Sequence, residues 1–166
     1  DFRNLLLVEQ PNRDFGHTMM RQFLFDLWHS LVLAALKSSD DPEIAAIAEK
    51  SLKEVTYHLE RSSDTVIALG DGTEESHMRM QAGLDRLWPY VGEMFLTDEH
   101  DLIDVAALRP AFAALTNNVL GTATLAIPTD NFTHKGGKTG ARHTEHLGHM
   151  IATMQFLPRA YPDAKW

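Results

Sequence analysis

Cysteine is absent from all 166 residues, which excludes disulfides, zinc fingers and thiol nucleophiles. The absence fits a reducing compartment, and the chain reads as cytoplasmic. No apolar run is long enough to cross a bilayer. Basic residues are the minority, 15 Lys and Arg against 23 Asp and Glu, for a net charge of −8. That balance argues against a nucleic-acid binder, which needs a basic face for phosphates, and leaves room for a local basic patch. Neither an initiator methionine nor a signal peptide opens the chain. It therefore reads as part of a longer subunit. Strand patterns and internal repeats are missing as well.

What is present is helical. The length allows one domain, residues 1–166, with a sizeable core. Leu5-Leu6-Leu7-Val8 is a short apolar run closed by Pro11, either extended or the end of a helix. Asn12-Arg13-Asp14 supplies N-cap chemistry for a helix from Phe15 to Ser38. Between Phe23 and Leu36 that helix is apolar on nearly every side, so neighbours should enclose it. Asp26 and His29 interrupt it three residues apart, and a buried Asp must be paired, protonated or bound to a cation.

Asp41-Pro42 starts a second helix that should run to Gly70, with an inward stripe through Ile44, Ile47, Ala48, Leu52, Val55, Leu59, Ser62, Val66 and Leu69, and with His58 on or beside it. A third should begin at Thr73 and continue to Phe95, bent at Pro89. Thr97 to Asp104 reads as an acidic connection, and a fourth helix is predicted over 107–123. Residues 126–141, with Gly136, Gly137 and Gly140, form a long loop. A last helix is predicted over 142–159, its inner face made by Leu147, Met150, Ile151, Met154 and Leu157.

The second helix holds the most informative stretch, Lys53-Glu54-Val55-Thr56-Tyr57-His58. Ferritin-like di-metal bundles carry Glu-x-x-His at such a place, both groups aimed into the core. Here His58 is present, but Val55 stands where the carboxylate belongs. Glu54 lies one position earlier, about 100° round the helix. The stretch reads as a metal motif whose carboxylate has been removed. Asp26, His29, Glu54 and His58 could still meet at one point as oxygen and imidazole ligands. The simpler reading is a buried polar network with Asp26 hydrogen-bonded to His58 or His29.

Two further stretches invite functional readings. His143, His146 and His149 recur at three-residue steps and could hold a divalent ion on one face. The plainer alternative is a helix start in which Thr144 or Glu145 satisfies first-turn amides. His134-Lys135-Gly136-Gly137-Lys138-Thr139-Gly140 ends like a phosphate-binding loop, but Phe132 occupies the opening glycine position and no strand precedes it. A mobile basic loop that contacts a partner, or else the phosphates of an anionic ligand, fits better. The candidate residues are Lys135, Gly136, Gly137 and Lys138.

Taken together, these residues resemble the C subunit of bacterial phenylacetyl-CoA 1,2-epoxidase, a multicomponent monooxygenase. The resemblance covers essentially the whole chain. It rests on residues Leu5 to Asn12, Asp26-Leu27-Trp28-His29, Lys53-Glu54 with Tyr57-His58-Leu59, Leu69 to Thr73, Gly136-Gly137-Lys138 and His143 to Gly148. It implies an all-α, ferritin-like helical bundle that in this chain lacks the first two helices of the family. It also implies a pairing with a catalytic A subunit whose di-iron site keeps the Glu-x-x-His motif. This chain would then have no catalytic residue, metal ligand or cofactor of its own. Asp26, Val55 and His58 would be remnants of a degenerate metal site. Its role would be to brace the di-iron subunit in phenylacetate catabolism, with the loop touching that subunit or the CoA thioester. The rival expectation is a ferritin-like metal-dependent oxygenase or metal-binding protein active on its own.

Overall fold

The computed structural model describes residues 2–130 and 132–165. Among the described residues six α-helices follow in order: α1 Phe15–Leu36, α2 Pro42–Gly70, α3 Glu74–Leu87, α4 Arg109–Thr122, α5 Glu145–Met154 and α6 Phe156–Ala160. No strand occurs among the described residues. The first three starts are chemically marked. The Asp14 carboxylate accepts the His17 N–H at 2.8 Å, and Asp41 accepts from Glu43 and Ile44 at 2.9 and 3.4 Å. Thr73 and Ser76 form a reciprocal capping box.

α1 packs most extensively on α2 and next on α3. The core lies where Phe23, Leu24 and Leu27 of α1 meet Val66, Met80, Leu84, Phe112 and Leu120. Full burial of each such side chain contributes about 1.5–3 kcal/mol of transfer free energy. A second, small cluster joins Leu33 to Ala48 and Val55, with Leu36 and Leu52 at its edge.

Several expectations need correcting. α1 is not enclosed on all sides: Phe25, Trp28, His29, Leu31 and Val32 are only partly covered. The third helix does more than bend. It ends at Leu87, and Trp88–Phe95 winds as a 3₁₀ helix. Pro89 has no N–H to continue the α ladder, and its ring crowds the preceding turn. Leu6 to Gln10 form a tight turn with i→i+3 bonds, not an extended segment. The fourth helix starts at Arg109 after a short 3₁₀ turn, with Pro110 in its first turn. The last helix begins three residues late and breaks at Gln155. Of its five expected inner residues only Leu147 is buried. The expected loop over 126–141 is present and includes Asn131, which lies outside the described residues.

Candidate functional site

The residues of the degenerate motif do not all face one way. Val55 is 6% exposed and sits in the small apolar cluster with Leu33 and Ala48. Asp26 is buried as the sequence demands, but its partners are not histidines. Ser62 Oγ donates to Asp26 Oδ2 at 3.0 Å, and Gln22 Nε2 donates to Oδ1 at 2.6 Å. Burial pushes the Asp26 carboxyl up, the two hydrogen bonds opposing. Burial likewise pushes the His29 imidazole down.

The expected Asp26–His58 hydrogen bond is not made. His58 is exposed, and its Nε2 lies 3.3 Å from Glu54 Oε1 one helical turn earlier. The reason is phase. Val55 and Ser62, seven apart, lie on the buried line of α2, while Glu54, Tyr57 and His58 fall on the solvent side of it. Among the described residues no three His, Asp or Glu side chains come together as a ligand set. Asp26, His29, Glu54 and His58 do not converge, and neither do His143, His146 and His149.

The basic glycine loop carries the second correction. Its amides are not open to an outside anion, because a buried acid from the 3₁₀ helix already holds them. Glu93 is 1% exposed, and its Oε1 accepts the N–H groups of Gly136, Gly137 and Lys138 at 2.7, 2.8 and 3.2 Å. Its Oε2 accepts the Leu6 N–H at 2.8 Å. The loop's amides thus form an anion nest already filled by the protein's own carboxylate. Glycine is needed twice here. Gly136 has φ of 121°, and a Cβ on Gly137 would collide with the Asn4 carbonyl. Lys138 is engaged as well: its ammonium donates to Asp101 Oδ2 at 2.6 Å and to the Leu96 carbonyl. Of the four loop candidates, only Lys135 has an exposed side chain.

A second buried acid faces the start of α5. The Glu9 side chain is fully covered. Its Oε1 accepts from His143 Nδ1 at 2.7 Å, and its Oε2 accepts from Thr144 N–H and Oγ at 2.8 and 3.0 Å. His143 Nε2 donates to the Phe2 carbonyl at 2.9 Å. Both ring nitrogens of His143 face acceptor oxygens, an arrangement that favours the imidazolium. Its pKa is raised above the ordinary histidine range, chiefly by the bond to Glu9. Thr144 or Glu145 was expected to satisfy the first-turn amides of this helix. Instead the Thr144 hydroxyl is given to Glu9, and no side chain caps α5.

Sequence reasoning missed both Glu9 and Glu93. One signal for Glu93 was available: it is the lone acid in the apolar run Tyr90-Val91-Gly92-Glu93-Met94-Phe95.

Comparison with known proteins agrees with this architecture. The family model described as phenylacetic acid catabolic protein matches residues 1–166. The C subunit of the 1,2-phenylacetyl-CoA epoxidase of Escherichia coli strain K12 is 42% identical over 173 aligned positions, which cover 99% of this chain and 69% of that protein. The chain belongs to the phenylacetic acid catabolic protein family, and its all-α fold is the ferritin-like fold expected from the resemblance.

Proposed function

We propose that this member of the phenylacetic acid catabolic protein family is the non-catalytic, structural subunit of a phenylacetyl-CoA epoxidase complex, cytoplasmic, bracing a partner that holds the di-iron centre. The observation that carries the reading is the fate of position 55. A working Glu-x-x-His motif needs a carboxylate there, aimed into the bundle. Here Val55 fills that place with two methyl groups packed on Leu33 and Ala48. Asp26, the nearest buried acid, is committed to Ser62 and Gln22. His58 lies on the solvent side with Glu54. The surroundings of these three residues support a helix pair that packs against a partner in preference to one that holds iron.

The partner contact includes Lys135, whose exposed ammonium is free to meet an acidic surface, with the phosphates of a CoA thioester as the second candidate. The test is co-expression of the full chain with the catalytic subunit of the same complex, followed by affinity isolation and iron analysis of each chain. A stable complex whose iron resides in the partner supports the reading. About two iron atoms per copy of this chain when purified alone, or turnover of phenylacetyl-CoA without a partner, would overturn it in favour of an oxygenase acting on its own. Lys135→Glu separates the loop's two targets. Weakened assembly marks a protein contact. Intact assembly with reduced substrate affinity, most pronounced at low salt, marks the thioester.

A further inference from the structure

We infer that residues 143–165 form a releasable arm, latched to the body at its first two residues by the Glu9 carboxylate and the Phe2 carbonyl. The loop that leads into the arm is tied down as far as Arg142. The loop amides close on Glu93, and the Arg142 N–H donates to the Gly136 carbonyl at 3.1 Å. Beyond Thr144 the pattern changes. Among the described residues, every hydrogen bond found within 145–165 is internal to that segment: Thr153 to His149, Gln155 to Ile151, Arg159 to Gln155, Tyr161 to Leu157 and Ala164 to Tyr161.

Apolar anchoring is equally thin. Leu147 is the one buried residue of α5, and α6 has none among its described residues. α5 and α6 pack on each other, and no other helix packs on either to a comparable extent. A Cβ on Gly148 would meet open space. An open surface pocket of about 270 Å³ lies between His146, Leu147 and Met150 of the arm and Val8, Glu9 and Pro11 of the body, so the arm covers this side of the body only in part. The latch is therefore the Glu9 carboxylate on His143 and Thr144 with the Phe2 carbonyl on His143, helped by Leu147. A segment held by polar contacts at its root and one buried side chain belongs to the low-stability end of a structure, which opens without the rest unfolding. Release would uncover Glu9, Val8 and Pro11.

The test is amide hydrogen exchange on the full 166-residue chain. In the parent, amides of 147–157 should exchange at least about tenfold faster than those of α1 and α2, as expected of separate opening units. Glu9→Gln keeps the shape but cannot accept from all three donors, so it should speed exchange of 147–157 several-fold further and leave α1 and α2 unchanged. Leu147→Ala should do the same from the arm's side of the latch, and it decides the matter if Glu9→Gln does not fold. Arm amides as protected as those of α1 in the parent would overturn the inference. So would variants in which arm and helices lose protection together.

Discussion

Replacing Glu93 with glutamine keeps the side chain's shape and removes its charge. In the parent, the two carboxylate oxygens accept four backbone N–H groups, from Leu6, Gly136, Gly137 and Lys138. A carboxamide has one accepting oxygen. Turned toward the glycine loop, it sets its NH₂ against the Leu6 N–H, donor against donor. Turned the other way, it faces the three loop amides. The cheaper orientation strands one buried donor, at about 1–3 kcal/mol. The three remaining bonds fall from charge-assisted to neutral, each weakening on the order of 1 kcal/mol. Removing the charge's own desolvation cost and letting the loop shift recover part of this, leaving a net loss of about 2–4 kcal/mol. In a chain of this length each kcal/mol moves the melting point about 2–4 °C, so Tm should fall by roughly 5–15 °C. Thermal unfolding followed by circular dichroism measures it, and trypsin cleavage after Lys135 and Lys138 reports the loop. A variant melting within about 2 °C of its parent, which is less than 1 kcal/mol is worth here, with the loop still protected, would refute the claim that Glu93 holds it.

Val55→Glu places a carboxylate in the Leu33–Ala48 cluster; the isolated chain should lose several kcal/mol of stability or take up a proton at that site, read as a large fall in Tm at neutral pH and a smaller one at acid pH. His58→Ala touches an exposed side chain paired with Glu54, so unfolding in urea should shift by no more than about 0.5 kcal/mol; a loss several times larger would return His58 to the core. Burial raises the Asp26 pKa, so its ionisation opposes folding: the penalty is absent below the unfolded value near 3.9 and fully present above the folded value. Asp26→Asn should therefore flatten the fall in stability as pH rises through that range, measured by urea unfolding across a pH series. His143 carries the opposite sign, its pKa being raised by Glu9: its contribution is complete below about 6.5 and fades as pH climbs through the folded value, a slope that His143→Gln should remove.

Which parts were legible follows from distance along the chain. α1 and α2 were readable because their causes are local. Asp14 and Asp41 cap within three residues, and the stripe through Val55, Ser62 and Val66 repeats on the helical period. Even there the phase mattered at the level of one residue: the stripe was right for Val55 and wrong for His58, which lies on the solvent side. The last helix failed for a different reason. Its apolar period is real, but Met150, Met154 and Leu157 have no neighbour to bury them, and periodicity cannot say whether a partner surface exists. The two buried acids were out of reach because their partners are 87 and 134 residues away. Asp26 was halfway: its burial demanded a partner, and the choice of Ser62 over His58 depended on how α1 and α2 are rotated against each other.

Glu9 and Glu93 also show why the glycine loop was misread from its charge. A buried carboxylate costs several kcal/mol unless its oxygens are satisfied; Glu93 is satisfied by four backbone N–H groups, and Glu9 by one together with His143 Nδ1 and Thr144 Oγ. A backbone donor asks nothing of the side chain of its residue, only that the backbone approach closely. Gly136 and Gly137 meet that demand, one by its positive φ and the other by fitting beneath the Asn4 carbonyl. The lysines are secondary: Lys138 neutralises Asp101 of the acidic connection, and Lys135 points to solvent. The tight turn at Leu6–Gln10 lies between the two clasps. Its Leu6 N–H reaches Glu93, and its Glu9 carboxylate reaches the start of α5. Reversing both lysines at once would therefore confuse two effects, because Lys138→Glu breaks an internal ion pair before any partner is met. Lys135→Glu alone leaves both clasps intact, and it is the substitution through which the loop's outward role can be read.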